Sequence, residues 1–143
     1  MARSGVPRGV LRRGLNAAMT AALRRGIGPP GIVLLETRGR RTGTARTTPV
    51  SLVQDGSARY LVSPYGEAGW VRNARAAGEV QLRRGRHVER RPVTELSPDE
   101  AGPVLKQYVT EQRVVRPWFG AKPGAPAADF AAEADRHPVF RLG

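Results

Sequence analysis

From Gly31 to Leu96 the chain is a succession of strand-length apolar segments. Each is stopped within a few residues by glycine, proline or a short polar turn. Residues 31–37, "GIVLLET", form a β-branched run bounded by Gly and Pro. Thr47 to Val53 alternates apolar and polar residues and meets the turn signal Gln54-Asp55-Gly56, after which a third strand is expected at about 58–63. "EVQLRRGRHVERRPVTEL" predicts a further hairpin turning near Arg84-Gly85, with Val80, Leu82 and Val88 on one face and Arg83 and Arg90 on the solvated one. Strands joined by so few residues must pair antiparallel, because a parallel crossover needs a dozen residues or more. The βαβ alternation of a Rossmann sheet is missing.

Helical patterns flank these segments. Leu11, Leu15, Ala18, Met19 and Ala22 are spaced for an amphipathic helix over about 9–25, ended by Gly26 and Gly28-Pro29-Pro30. Ser63-Pro64-Tyr65-Gly66 breaks the sheet, and Gly69 to Ala77 predicts a short helix with Gly78 at its C′ position. Ser97-Pro98-Asp99-Glu100 combines a serine cap, a first-turn proline and a glutamate three residues after the cap. Ala101, Val104, Leu105, Tyr108 and Val109 then form an apolar stripe. Residues 116–126 are expected as an irregular loop, 127–136 as a last helix, and "VFRL" as a closing strand. The expected class is α+β, mainly β: a small antiparallel barrel with helices packed outside. It forms one domain over 1–143, with an N-terminal helix at 9–25, the barrel at 31–95 and the C-terminal helices and closing strand at 97–143.

Charge narrows the partners. The 24 Lys+Arg against 12 Asp+Glu give a formal charge of +12, which favours anionic ligands. Lysine occurs only at Lys106 and Lys122, and arginine usage by itself names no ligand. No stretch approaches a transmembrane span and no apolar run of secretory length follows Arg3, Arg8, Arg12 and Arg13, so a cytoplasmic protein is expected. The N-terminal helix leaves two readings open, packing against the domain or peripheral contact with an acidic membrane.

Much chemistry is excluded. Without cysteine there are no disulfides or thiolate catalysis, and the two histidines have no metal-ligand spacing. No serine sits in a nucleophile elbow. "GRRTG" lacks the spacing and the Gly-Lys-Ser/Thr ending of a phosphate-binding P-loop. An enzyme built on this chain would take its reactive group from a cofactor.

One stretch concentrates binding chemistry. "TRGRRTGTARTTPV", residues 37–50, carries four arginines, five threonines and no acid. Guanidinium groups bind phosphate and carboxylate through paired, charge-assisted hydrogen bonds, and hydroxyls with glycine-exposed N–H groups complete such a cradle. On alternation Arg46 and Thr48 share one face and Thr47 the other. An anion site and a solvated, arginine-rich hairpin loop fit the composition equally. In "YGEAGWVRNARAAG", Trp70, Asn73 and Ala74 share one helix face. The tryptophan fits a core anchor, whereas a buried amide on that face needs partners.

"LLETRGRRTGTARTTPV" followed by "YLVSPYGEAGWVRNARAAGEVQLRRGR" resembles the deazaflavin (coenzyme F420)-dependent nitroreductase family, the nitroreductase/quinone-reductase type of split β-barrel oxidoreductases. The ordered set is a Gly-Arg-basic-Thr-Gly motif, an Arg-Thr-Thr-Pro strand start and a Trp-x-x-Asn helix. It runs from about Gly31 to Val93, with weaker likeness in "RPWFG" and "HPVFRL". The resemblance implies a split β-barrel like those that bind FMN, usually as a homodimer. It implies that Arg40, Arg41, Thr42 and Gly43 meet the phosphate and acidic tail of coenzyme F420, and that Arg46, Thr47, Thr48 and Pro49 line the deazaflavin and its side chain. Ser63, Pro64 and Tyr65 would approach the ring, with Trp70 and Asn73 fixing ring and phosphodiester. The chain departs from the family where a basic residue often follows the third strand, offering Tyr65-Gly66-Glu67.

The activity so implied is hydride transfer from reduced deazaflavin to a small-molecule acceptor such as a quinone, enone or nitroaromatic. Tyr65 is the candidate hydrogen-bond donor to the acceptor, and Tyr108, Trp118 and Phe119 are candidates for the acceptor pocket's wall or for core and dimer contacts. Two rivals stand beside it. A basic nucleic-acid-binding barrel fits the charge, yet no aromatic interleaves with the arginine run to provide stacking platforms, so no nucleic-acid partner is expected. A split barrel could also bind FMN or haem without F420 activity.

Overall fold

The structure, a computed structural model, describes residues 9–39 and 41–143, with side chains from residue 17 onward. Six strands, β1 Ile32–Arg38, β2 Ala45–Asp55, β3 Ala58–Val62, β4 Glu79–Arg84, β5 His87–Glu95 and β6 Val139–Leu142, close a barrel in the order β1-β2-β3-β6-β5-β4. Every neighbouring pair is antiparallel. Closure removes the sheet edges that a set of short strands would otherwise expose. The last strand, β6, completes the ring between β3 and β5. Four helices accompany the barrel: α1 Gly9–Arg24, α2 Gly69–Ala77, α3 Pro98–Glu111 and α4 Ala127–Ala131.

Alternation along the strands sorts side chains into two clusters. Leu61 and Phe140 face each other across β3 and β6, as do their neighbours Val62 and Val139. The first pair joins Leu35, Val80, Leu82 and Leu142 with Val71 and Ala74 of α2. The second pair joins Val53 and the buried stripe of α3, Ala101, Val104, Leu105, Tyr108 and Val109, together with Phe119 and Phe130. Sheet residues one position apart therefore serve α2 on one face and α3 on the other. The α3 start has the full capping box, with Ser97 Oγ accepting from the Glu100 N–H at 3.3 Å and Glu100 accepting from the Ser97 N–H at 3.1 Å. Such a cap contributes about 1 kcal/mol.

Three local expectations change. Val88 is 41 % exposed rather than beside Leu82. The two-residue turn pairs Arg84 with His87, so Val88 lies opposite Arg83, and Glu89 lies opposite Leu82. One position of register exchanges faces, and Glu89 ion-pairs with Arg59 at 2.6 Å. The start of the expected 116–126 loop is a 3-10 turn over Arg113–Trp118, whose end Arg116 ties to α3 by donating to the Val109 and Thr110 carbonyls at 2.9 and 3.0 Å. The expected 127–136 helix divides into α4 and a 3-10 turn at Ala134–Arg136, with Glu133 between them turned inward. Among the described residues no helix is long and apolar enough to cross a membrane. Of the helix arginines weighed for membrane contact, Arg12 and Arg13 lie outside the described side chains, and Arg24 and Arg25 are exposed.

Candidate functional site

The loop joining β1 to β2 is a short hairpin whose glycines set its shape. The Gly39 N–H donates to the Thr44 carbonyl at 2.7 Å and the Gly43 N–H to the Gly39 carbonyl at 2.8 Å. Gly43 takes φ +71°, a left-handed conformation that side chains disfavour. A Cβ on Gly39 would stand 2.9 Å from the Thr42 hydroxyl. Arg38 donates to the Gly43 carbonyl at 3.2 Å and steadies the base of the loop. Arg41 and Thr42 are thereby held at an exposed tip. Arg46 follows on β2, opposite Thr37 of β1.

Across from this loop stands the start of α2. Its N-cap residue is Ala68, and no side chain caps it. The first amides of the helix, and the positive end of its dipole, therefore lack the usual side-chain acceptor. Between loop and helix lies a groove of about 430 Å3 lined by Gly39, Arg41, Thr42, Arg46, Thr47, Thr48, Ala68, Gly69, Trp70 and Asn73. Thr48, Ala68 and Trp70 also border a second pocket of about 250 Å3. Pro49, Ser63, Pro64, Tyr65, Tyr108 and Val115 are among its other walls. The two cavities thus share a wall, with arginines and threonines at the loop end and, at the α3 end, uncharged residues that mix Tyr65, Trp70, Tyr108 and valines with Ser51, Ser63 and Gln112.

The residues anticipated from sequence are brought together here, with two exceptions. Gly43 shapes the loop without lining the groove. Arg40 lies outside the described residues. Tyr65 is 46 % exposed and meets Trp118 edge-on at 4.9 Å. Of the three aromatics considered for the acceptor wall, Tyr108 lines the second pocket. Phe119 is instead buried in the α3 cluster, and Trp118 packs partly buried against that cluster while meeting Tyr65. Burial, with the nearby Tyr65, pushes the Tyr108 hydroxyl well above its ordinary pKa, so it stays a neutral O–H. Trp70 serves both purposes weighed for it: it lines both cavities and packs against Phe140 at 5.8 Å.

Charge pairing separates the arginines. Arg59 is held by Glu89, and Arg84 donates to the Gly28, Pro29 and Ile32 carbonyls at 2.6, 2.8 and 2.7 Å. Arg75 bridges Glu67 and Glu95 at 2.6 and 2.7 Å. That bridge lowers the Glu67 pKa, first through the hydrogen bond from Arg75 and then through its charge. The acid after the third strand is thus answered by its own helix. Among the described residues, neither Arg41 nor Arg46 has a carboxylate within 4.0 Å.

Two features were missed in the sequence. Thr37 is buried and accepts a 3.1 Å hydrogen bond from Asn73 Nδ2, tying β1 to α2 at the floor of the groove. Its place on the inward alternation of β1, opposite Arg46, was the available signal. The uncapped start of α2 was the other: Ala68-Gly69 stands where Ser, Thr, Asp or Asn usually caps.

The sequence matches the family described as F420H(2)-dependent quinone reductase over residues 11–116. A protein of Mycobacterium tuberculosis named F420H(2)-dependent quinone reductase is 33 % identical over 96 residues, 62 % of this chain and 63 % of that relative. The chain therefore spans less than two thirds of the length of the curated relative it matches. Among solved structures, an F420-H2 dependent reductase shares 27 % identity with a TM-score of 0.53, covering 80 % of this chain and 95 % of that one. General Stress Protein 26 from Bacillus anthracis, at 10 % identity, shares the fold with a TM-score of 0.53 over 90 % of this chain and 88 % of its own.

Proposed function

We propose, since this chain belongs to the F420H(2)-dependent quinone reductase family, that it holds reduced coenzyme F420 in the joined groove and passes reducing equivalents to a small acceptor, a quinone first among them. The observation that carries this reading is the distribution of charge along the groove. Two arginines with no acidic partner among the described residues stand at one end, and a pocket of uncharged residues with Tyr65, Trp70 and Tyr108 in its walls stands at the other. That order suits a ligand with a polyanionic tail and a flat, apolar-faced ring. Arg41, Thr42 and Arg46, with Arg40 and the backbone turn at Gly43, would meet the phosphodiester and tail carboxylates. Thr47, Thr48, Pro49 and Trp70 would border the deazaflavin, and Asn73 would hold the floor beneath it.

When bound, the reduced deazaflavin supplies a hydride to an electrophilic quinone, enone or nitro group. The chain's part is to orient the two reactants, to exclude water and to answer negative charge on the acceptor oxygen. Tyr65 and Tyr108 flank the second pocket, and the Tyr65 hydroxyl is the donor we assign to that oxygen. Ser63 and Pro64 set the turn that carries Tyr65, Ser63 Oγ donating to the Gly66 carbonyl. We take the working form to be a cytoplasmic homodimer, to be read from its mass in solution and from cell fractionation.

Titration with oxidised coenzyme F420, followed by its fluorescence, tests the reading, with FMN and a mixed-sequence oligonucleotide as competitors. Micromolar or tighter binding that weakens with salt and resists both competitors is expected. Preference for FMN or for nucleic acid would replace the proposal with one of its rivals.

A further inference from the structure

Behind the second pocket lies a polar cluster that the reading above does not use. His137 is 3 % exposed and Glu133 is 5 % exposed. The His137 ring stacks on Phe119 with centroids 3.8 Å apart and planes 19° apart. Its Nδ1 stands 2.9 Å from the Pro64 carbonyl oxygen, and its Nε2 stands 2.9 Å from Glu133 Oε1. Glu133 also accepts the Gly120 N–H at 3.0 Å on Oε1 and the Ala121 N–H at 2.8 Å on Oε2.

The partners decide the protons. A backbone carbonyl can only accept, so Nδ1 must carry hydrogen. The carboxylate already accepts two backbone N–H groups, which favour its ionised form. They and His137 hold its pKa below the ordinary value although burial alone would raise it. Nε2 faces that carboxylate at 2.9 Å.

We propose that His137 is a positioning residue. Anchored by Glu133, its Nδ1–H clamps the Pro64 carbonyl and so fixes the turn that presents Tyr65 to the second pocket. The clamp acts one residue from Tyr65 and is reinforced next door, where the Ser63 N–H donates to the Pro138 carbonyl at 2.9 Å. Glu133 is the carboxylate facing the ring, while Phe119 and Pro64 present no titratable group. The assignment of Tyr65 to an electron acceptor rests on the proposed function; the state of the ring does not.

Two readouts need no coenzyme. His87 and His137 are the two histidines, so 15N-resolved NMR of the ring nitrogens can follow His137 by assignment. Nδ1 is expected to carry hydrogen in wild type and in Glu133→Gln alike, because its partner is a carbonyl that can only accept. Trp70 and Trp118 are the two tryptophans, so in a Trp70→Phe background emission reports Trp118 against Tyr65. His137→Phe keeps the stack on Phe119 and deletes both N–H donors, and it should shift that emission. His137→Asn places an amide N–H near the former Nδ1 and should restore it. With coenzyme and a quinone, His137→Phe should lower kcat/KM for the quinone about tenfold at unchanged coenzyme affinity, with rescue by His137→Asn. Should His137→Phe fail to fold, the wild-type ring and the Asn and Gln variants still decide. A wild-type ring with no hydrogen on Nδ1 overturns the clamp. So does a variant that merely melts earlier with Trp118 emission and quinone kinetics unchanged. Wild-type protein that binds no coenzyme yet shows the expected ring and emission behaviour overturns the functional reading and supports the clamp.

Discussion

The two polar regions that meet at the pocket are built on opposite plans. At the β1–β2 loop, Arg41, Thr42 and Arg46 lie exposed on a turn that glycines shape, and the arginines have no acidic partner among the described residues. At the C-terminal end, Glu133 and His137 are buried, and each makes more than one hydrogen bond. Groups whose charge is unmet within the protein can gain from a ligand. Groups already saturated can only fix geometry, and they resist removal because their partners would be left buried and unpaired. The comparison therefore assigns binding strength to the loop and precision to the cluster, and each assignment can be broken separately.

The largest expected effect is on stability at the cluster. Glu133→Ala leaves His137 and two N–H groups without their acceptor, a loss of about 3–5 kcal/mol for breaking a buried pair. Thermal unfolding should begin roughly 10 °C earlier or more, read by circular dichroism. The pH dependence has a definite sign. The Glu133 pKa is depressed in the folded state, so its contribution is present above the ordinary value of 4.5 and is lost as pH falls below it. Acid unfolding of Glu133→Gln should accordingly be flatter in that window. An unchanged acid transition would show that the carboxylate is not held ionised by the fold.

Next in size is the loop, where the effect should fall on affinity alone. Arg41→Ala and Arg46→Ala should each weaken coenzyme F420 binding about tenfold at low salt, and the double variant about a hundredfold, for a lost charge-assisted contact apiece. Melting temperature should stay within a degree or two of wild type, because neither guanidinium has a carboxylate partner among the described residues. Salt should erase much of the difference between wild type and variants. If melting moves and binding does not, the roles of the two regions are reversed.

How much of this could be read in the sequence follows from the range of the forces involved. The hairpins were legible because alternation and turn chemistry act within a few residues, as in β1, β2 and β3. The α3 start was legible because its cap is a four-residue pattern. Val88 was misplaced because register depends on the turn's two-residue count, which a glycine signal alone does not fix. The GRRTG loop, Trp70 and Asn73 were legible as an ordered motif. Which arginines remain open was not, because Glu67, Glu89 and Glu95 find their arginines 8, 30 and 20 positions away, respectively. In the His137 cluster the i,i+4 spacing from Glu133 is local, but the Pro64 carbonyl that the ring reaches lies 73 positions away, and no local signal announces it.

A smaller effect is expected where the two regions share a wall. Asn73→Ala removes the hydrogen bond to Thr37, so a buried hydroxyl loses a partner, and stability should fall by about 1–3 kcal/mol. Because Asn73 also lines the groove, coenzyme affinity of the folded protein should fall severalfold. Asn73→Ala that loses affinity with an unaltered melt would put the Thr37 contact, not the coenzyme contact, in question.

The smallest effect should come from a single oxygen. Tyr65→Phe keeps the ring that meets Trp118 edge-on and leaves the arginine groove intact, so coenzyme affinity should not change measurably. The hydroxyl belongs to the second pocket and not to the arginine groove. Its loss should therefore appear only in the step that involves the acceptor. A neutral hydrogen bond contributes about 0.5–1.5 kcal/mol, so kcat/KM for a quinone should drop between twofold and tenfold. The drop should reside in kcat if the hydroxyl answers charge that develops during transfer, and in KM if it only holds the acceptor. Tyr108→Phe is the control, since its hydroxyl borders the same pocket from α3 and stays protonated across the working pH range. Equal losses in the two variants would mean that both hydroxyls contact the acceptor. A change in coenzyme affinity with Tyr65→Phe would mean that the coenzyme itself reaches past Trp70, and the boundary between the two cavities would have to be drawn further toward α3.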